Sequence, residues 1–355
     1  MRWSIYIPTV INPIMTRKEA HKKGLKKLSR KPAQVRRTKT IGRIANKTLP
    51  VNSILQGDCI EILNSMPEGS LDLVFADPPF NIGYLYHNYD DAKDVGEYVA
   101  WSEQWMRAVH RALKPTGSFY LAIGDEFAAD LCHVARRKIG FHMRNWIIWH
   151  YTFGQQTKKM FAKSHTHILY FSKEKPDNGL TNITFNADAV RVASARQTTY
   201  ADLRANPKGK LPDDVWVLRP QEAPEEMFTD DSDTWFASRV CGTFKEREGW
   251  HGCQMPLKVL ERIIKASSNP GDIVLDPFNG SGTTVVAAAM LNRKYIGIDQ
   301  SAEYVHYAQK RLAHSLANGT PRDGDRESKV LTATDAFGRE RVARRAKKQP
   351  VTQTI

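Results

Sequence analysis

Residues 272–284 read DIVLDPFNGSGTT, an apolar strand that runs into a glycine-rich turn and then into a helix start. Gly280 and Gly282 would let backbone N–H groups approach a ligand closely, next to a helix N-terminus. Thr283 and Thr284 place hydroxyls where a carboxylate or phosphate would sit. The spacing is neither that of the dinucleotide fingerprint nor that of the P-loop, and a turn of this kind can also be no more than a tight connection. The strand that follows, YIGID, sharpens the reading. It ends in Asp299, where an acid ordinarily bonds ribose hydroxyls, and the pair suits an adenosine-bearing ligand.

Around this turn, short apolar strands alternate with helical stretches. VNSILQ reads as a strand, CIEILNSM as a helix and LDLVFA as a buried strand. The spacing predicts a helix over Glu97 to Leu113, with Val99, Trp105, Met106, Val109 and Leu113 on one side. Lys114-Pro115-Thr116-Gly117 should stop it before a strand SFYLAI. Asp125 to Ile139 reads as helix, NWIIWH and HILYFS as strands. Later come a helix over Pro256 to Ser268, the strand DIVLD, a helix over Thr283 to Leu291 and a last one over Ala302 to Ser315. Such alternation predicts an α/β fold with a doubly wound, mainly parallel sheet. Between about Glu174 and Gly249 it lapses into Pro, Asn, Asp and isolated aromatics, which reads as an insertion.

A second motif, Asp77-Pro78-Pro79-Phe80, ends the strand LDLVFA. Two consecutive prolines fix the backbone and remove two N–H donors, leaving carbonyls that point outward. The Asp77 carboxylate and the Pro78 carbonyl could accept both hydrogens of a planar exocyclic amine, pushing its nitrogen toward sp3 character. Phe80 offers a flat surface for a base swung out of its stack.

FADPPF together with LDPFNGSGTT closely resembles the amino-methyltransferases of DNA, with their D/N/S-P-P-F/Y/W tetrad and FxGxG turn. Tetrad first and glycine turn last is the order of the circularly permuted β class. The resemblance covers about Val51 to Ser315 and includes Gln56-Gly57-Asp58-Cys59, KPTGSFYLAIGD and the approach from HGCQMP into a helix. It implies a Rossmann-like methyltransferase fold using S-adenosyl-L-methionine, with no metal. Asp77, Pro78, Pro79 and Phe80 would bind and activate the target amine. Phe278, Gly280 and Gly282 would line the cofactor pocket, Asp276 its floor. Thr283 and Thr284 would hold the methionine carboxylate, Asp299 the ribose, and Asp58 with the Cys59 backbone the adenine. Phe80 stands in place of the usual Tyr, and Gln254-Met255-Pro256 is an imperfect match to the usual approach sequence.

Composition sets off a basic, mostly disordered arm 1–50 and a basic tail 319–355; between them the resemblance implies a catalytic half 51–173, a target-recognition insertion 174–249 and a cofactor-binding half 250–318. Asp at the head of the tetrad favours N6 of adenine in double-stranded DNA, with N4 of cytosine as the alternative. RNA, a protein glutamine, or an inactive nucleic-acid-binding partner subunit are the rival readings. A homodimer and a cognate restriction nuclease are the partners that the resemblance allows for, in a cytoplasmic, nucleoid-associated setting.

The net charge of +14 is concentrated in the arms. Between Thr16 and Lys47 thirteen Lys or Arg face only Glu19, and from Leu331 onward six face Asp335 and Glu340. Arms of this kind bind polyanions through counterion release without reading sequence. In the insertion, Arg191, Arg196, Arg204, Lys208, Lys210 and Arg219 are types that contact phosphates and base edges. Tyr84, Tyr86 and Tyr89 suit either a lid or a partly buried loop. No apolar run reaches the roughly 20 residues of a membrane span, and Pro8 and Pro13 break the opening stretch, which is not read as a signal peptide. Cys59, Cys132, Cys241 and Cys253 form no CxxC and suit a reduced compartment. His165 and His167 read as packed or hydrogen-bonded rather than metal-binding, as do His251 and Cys253. Asp230, Asp231 and Asp233 read as a solvated turn.

Overall fold

The computed structural model describes residues 48–83, 91–155, 159–175, 182–192, 194, 196, 200, 202–216, 247–248, 250 and 253–319. Residues 1–47 and 320–355 of the two basic arms, Tyr84, Tyr86, Tyr89, Arg219, the Asp230–Asp233 group, Cys241 and His251 lie outside them.

Among the described residues, eight strands form one sheet: β1 (Ser53–Gln56), β2 (Leu71–Ala76), β3 (Leu113–Ile123), β4 (His142–Gln155), β5 (Lys163–Ser172), β6 (Val215–Trp216), β7 (Ile273–Asp276) and β8 (Lys294–Asp299). Their spatial order is β1-β8-β7-β2-β3-β5-β4-β6. The run from β1 to β3 is parallel, β5 lies antiparallel between β3 and β4, and β6 adds in parallel to β4. The α-helices of the described residues are α1 (Cys59–Ser65), α2 (Val95–Ala112), α3 (Ala128–His133), α4 (Leu257–Ser267), α5 (Thr283–Met290) and α6 (Ala302–Asn318). The expected doubly wound, mainly parallel sheet is present.

Strand alternation builds a core on each face. In β3, Phe119, Leu121 and Ile123 join Leu63, Trp105, Met106 and Val109 of α1 and α2. Tyr120 and Ala122 face the other way, with Leu260 and Ile264 of α4, Val285 and Val286 of α5, and Leu312 of α6. The Asp72 carboxylate ties neighbouring strands, accepting from the Ile273 amide (2.9 Å) and from the Lys114 ammonium. Among the described residues, no helix is long and apolar enough to cross a membrane.

Three boundaries differ from expectation. Lys114 to Gly117 do not form a turn: β3 begins at Leu113, which pairs with Leu71, and Lys114 reaches Asp72 beside it. The helix expected from Asp125 begins at Ala128 and widens into a π turn over Val134–Ile139. Left-handed Gly140 ends that turn by donating to the Ala135 carbonyl (3.1 Å). Within the insertion, β6 joins the sheet, and Asn186 bonds the end of α4 through the carbonyls of Lys265 and Ser268.

Candidate active site

Strands β2, β7 and β8 all end at one edge of the sheet, so the DPPF tetrad, the glycine turn and Asp299 emerge side by side, as open α/β sheets place their ligand sites. A cleft of about 350 Å³ opens there. Its lining includes Asp77, Pro78, Pro79, Phe80, Cys59, Asp276, Phe278, Gly280, Thr283, Thr284 and Asp299, eleven of the thirteen residues expected at the site. Residues from β4 and β5, among them Trp149, Tyr151, His165 and Thr166, form a further wall.

The cofactor side is organised by two acids. Asp276, 4% exposed, accepts from the Phe278 amide (2.9 Å) and from the Thr284 hydroxyl (2.6 Å). Burial pushes its carboxyl up to about 7 despite those two donors, and the negative charge of Asp299 adds to the rise. Asp299 is also displaced upward by burial, while the amides of Gly280 and Ser301 (both 2.8 Å) hold its two oxygens and oppose the shift. Arg311 of α6, nearly buried, donates to the Ser281 carbonyl and to the Thr283 hydroxyl (both 2.9 Å), bracing the turn from behind.

Several side chains stand differently from the expectation. Gly282 does not line the cleft; it caps α5 in the left-handed region (φ 79°), and a β-carbon there would lie 3.0 Å from that of Ala308. Its requirement is conformational and steric. Asp58 also stays out of the lining. Its carboxylate caps α1 by accepting from the amides of Ile60 (2.8 Å) and Glu61 (3.1 Å), and its other oxygen takes the Gln300 side-chain amide (3.2 Å). The Thr284 hydroxyl donates to Asp276, so its proton is not directed at a ligand carboxylate. The neighbouring Cys59 thiol is pushed up to about 12, first by burial and then by the charge of Asp58, so it stays protonated at neutral pH.

On the tetrad side, Tyr98 of α2 is fully buried and its hydroxyl donates to the Pro79 carbonyl (2.7 Å). Phe80 rests on Gly124 at the end of β3, where a β-carbon would come within 3.2 Å of the ring. Beyond the tetrad, the buried Asp91 carboxylate accepts from the amides of Asn81 (2.8 Å) and Ile82 (3.1 Å), and Asn81 pairs through its side chain with the backbone of Lys93. The same α2 face carries Trp101 and Trp105, whose rings lie 5.7 and 5.2 Å from that of Phe278. Residues 98, 101 and 105 share one helical face, so a single helix braces both motifs. Trp105 is among the residues the sequence places on one side of the helix, whereas Tyr98 and Trp101 are not among the expected site residues. The aromatic spacing along α2 was the available signal.

His167 accepts from the Trp146 indole (2.8 Å) and packs against His165, in keeping with its reading as a hydrogen-bonded histidine. Five basic residues among the described part of the insertion are paired internally: Arg191 and Lys208 with Asp188, Arg196 and Arg204 with Asp202, Lys210 with Asp213. These are exposed pairs of small worth, which a phosphate could replace.

The sheet, the glycine turn and the shared cleft define a methyltransferase of Rossmann-like fold. Residues 71–310 match the DNA methylase family model, and the chain belongs to that family. It is 34% identical to the Type II methyltransferase M.HpaI of Haemophilus parainfluenzae over 259 residues, 73% of each protein. It is 35% identical to the DNA adenine methyltransferase YhdJ of Escherichia coli strain K12 over 268 residues, 73% of this chain and 82% of the relative. Among solved structures, the cytosine-N4-specific PvuII DNA methyltransferase aligns with a TM-score of 0.54 at 19% identity, covering 75% of this chain and 93% of that one. That last likeness speaks to the fold alone.

Two outcomes check this geometry. Tyr98→Phe should cost about 1 kcal/mol of stability through the lost hydrogen bond. It should also lower methyltransferase turnover roughly tenfold by loosening the tetrad, with cofactor affinity unchanged; equal turnover would contradict the brace. Asp276 has a folded pKa above its unfolded one, so its contribution to stability is full below the unfolded value and is lost as pH rises through about 7. Thermal melts of Asp276→Asn and the parent should therefore diverge in the variant's favour from about pH 5 to about pH 8. A constant difference would contradict the raised pKa.

Proposed function

We propose that this chain transfers a methyl group from S-adenosylmethionine to the exocyclic N6 of adenine in DNA. The observation that carries the reading is the convergence of Asp77, Pro78 and Phe80 with Asp276, Phe278 and Asp299 on one cleft. The cofactor suits the donor set: two largely buried carboxylates, both shifted upward by desolvation, await a ligand with positive charge at its sulfur and its amine. When bound, S-adenosylmethionine supplies an electrophilic methyl on a sulfonium. Asp299, oriented by two backbone amides, presents its oxygens to ribose hydroxyls, while Phe278 and Gly280 shape the adjoining wall. Asp276 holds the floor, and Cys59 stands toward the adenine.

At the other end of the cleft, the Asp77 carboxylate and the Pro78 carbonyl accept from the two N–H groups of the target amine. The nitrogen lone pair is thereby drawn out of conjugation. Pro79 keeps the turn rigid, and its own carbonyl is engaged by Tyr98 from behind. Phe80 stacks on the target base. Positioning and exclusion of water carry the rate, since in-line displacement needs neither a covalent nucleophile nor a metal. An Asp-headed tetrad and the adenine-specific name of the relative YhdJ support adenine over cytosine.

Several finer expectations belong to the same proposal. The strand order, with the tetrad strand β2 beside the later-arriving β7, supports the permuted β-class arrangement. Residues 51–173 and 250–318 would be its two halves, and 174–249 its target-recognition insertion. Double-stranded DNA at the nucleoid in the cytoplasm is the expected substrate and setting. A homodimer and a cognate nuclease are carried by the resemblance alone. The intact Asp77, Pro78 and Gly280 weigh against an inactive partner subunit.

The test separates binding from chemistry. Asp77→Ala should bind S-adenosylmethionine within about threefold of the parent by calorimetry and lose methylation of genomic DNA by roughly a hundredfold or more. A variant that retains methylation would overturn the assignment of Asp77.

A further inference from the structure

The cleft edge of the sheet carries one more element, the tip of the β4–β5 hairpin. The last paired residues of the ladder are Gln155 and Lys163, and Met160 and Phe161 precede the Lys163 that lines the cleft. Just below the tip, Lys163, His165 and Thr166 of β5 line the cleft, as do Trp149 and Tyr151 of β4. At the tip itself Phe161 is 97% exposed, next to Met160 at 65%. On the tetrad side, Ile82 lines the cleft and is 69% exposed. Apolar side chains thus stand out from two separate parts of the rim.

A phenylalanine so exposed recovers the free energy of removing its ring from water only against a partner. The rim chemistry selects that partner. Lys158 and Lys159 precede Met160 in the sequence and Lys159 is exposed, so the tip carries positive charge beside an aromatic ring, while Lys163 at the cleft wall is paired with Asp125 (3.1 Å). A second copy of the same tip would set lysine against lysine, whereas a nucleic-acid duplex offers phosphates to the amines and stacked bases to the ring. A base can reach Asp77 only after leaving its stack, and proteins that open a duplex commonly insert an apolar side chain between base steps.

We propose that Phe161, with Met160 beside it, is a wedge that enters the base stack of duplex DNA at the target pair and fills the gap left by the nucleotide in the cleft. This inference rests on the DNA-methyltransferase reading above. No covalent step is involved; Phe161 acts on the substrate before the methyl transfer.

The test uses the full chain and duplexes carrying the target site, located by sequencing DNA that the enzyme has methylated. With 2-aminopurine at the target position, binding by the parent should raise its fluorescence as the base unstacks, and Phe161→Ala should lose that rise. On the matched duplex the variant should show kcat/KM roughly tenfold or more below the parent. With the target base mispaired, so that unstacking is already easier, the deficit should shrink to within about threefold, and Phe161→Leu should keep most of the parent's activity. Equal deficits on matched and mispaired duplexes, or an undiminished fluorescence rise, would overturn the wedge. So would a fall in oligomer mass by light scattering on Phe161→Ala, which would make the tip a contact between copies. A parent enzyme that methylates no DNA removes the underlying reading and the wedge with it. An active parent with an unaffected variant removes the wedge alone.

Discussion

One face of α2 holds the site together. Tyr98 fixes the Pro79 carbonyl, and Trp101 and Trp105 pack on Phe278, so the loops after β2 and β7 are braced by the same rigid element. The two loops lie about 200 residues apart in the chain, and neither could set the position of the other by itself. Edge-on aromatic contacts of this kind contribute of order 1 kcal/mol each beyond the area they bury. Their larger effect is geometric: the tetrad, proposed to accept from an amine, and the glycine turn, proposed to hold a methyl donor, keep a fixed separation. Asp94 anchors the start of the helix by accepting from the Gly96 amide, and its carbonyl accepts from the Tyr98 amide.

The electrostatics of the cleft oppose the stability of the empty protein. Two carboxylates are held in surroundings that disfavour their charge, Asp276 most strongly. Backbone amides and the Thr284 hydroxyl orient them without fully offsetting burial. A cationic ligand bound there would favour the ionised acids. The β4–β5 wall is of different character, with Trp149, Tyr151 and His165 offering aromatic surface beside the Asp125-paired Lys163. A division into an acidic half and an aromatic half is what a site needs if it must take a sulfonium at one end and a base at the other.

The architecture was legible because both motifs lie at strand ends, where apolar runs stop abruptly. LDLVFA coincides with β2 residue for residue, and DIVLD and YIGID each fall within one residue of β7 and β8. Side-chain partners were less legible. Gly282, Asp58 and Thr284 sit in the expected motifs, yet their contacts are with Ala308, the α1 amides and Asp276, partners set by tertiary packing and local capping. Tyr98 was hidden for a related reason. A buried aromatic at helical spacing reads as core, and nothing local reveals that its hydroxyl meets a carbonyl 19 residues earlier. The two-residue β6 carries too little periodicity to announce itself, and the paired aspartates of the insertion could not be assigned to their arginines from spacing alone.

The measurement that bears most directly on the central claim is the fate of the methyl group. Purified full-length protein would be incubated with DNA and S-adenosylmethionine carrying a trideuterated methyl, and the DNA hydrolysed to nucleosides for mass spectrometry. The account predicts that the label appears in N6-methyladenine. Label in N4-methylcytosine would keep the site and change its base, whereas a protein that binds the cofactor yet leaves every nucleoside unlabelled would contradict the account.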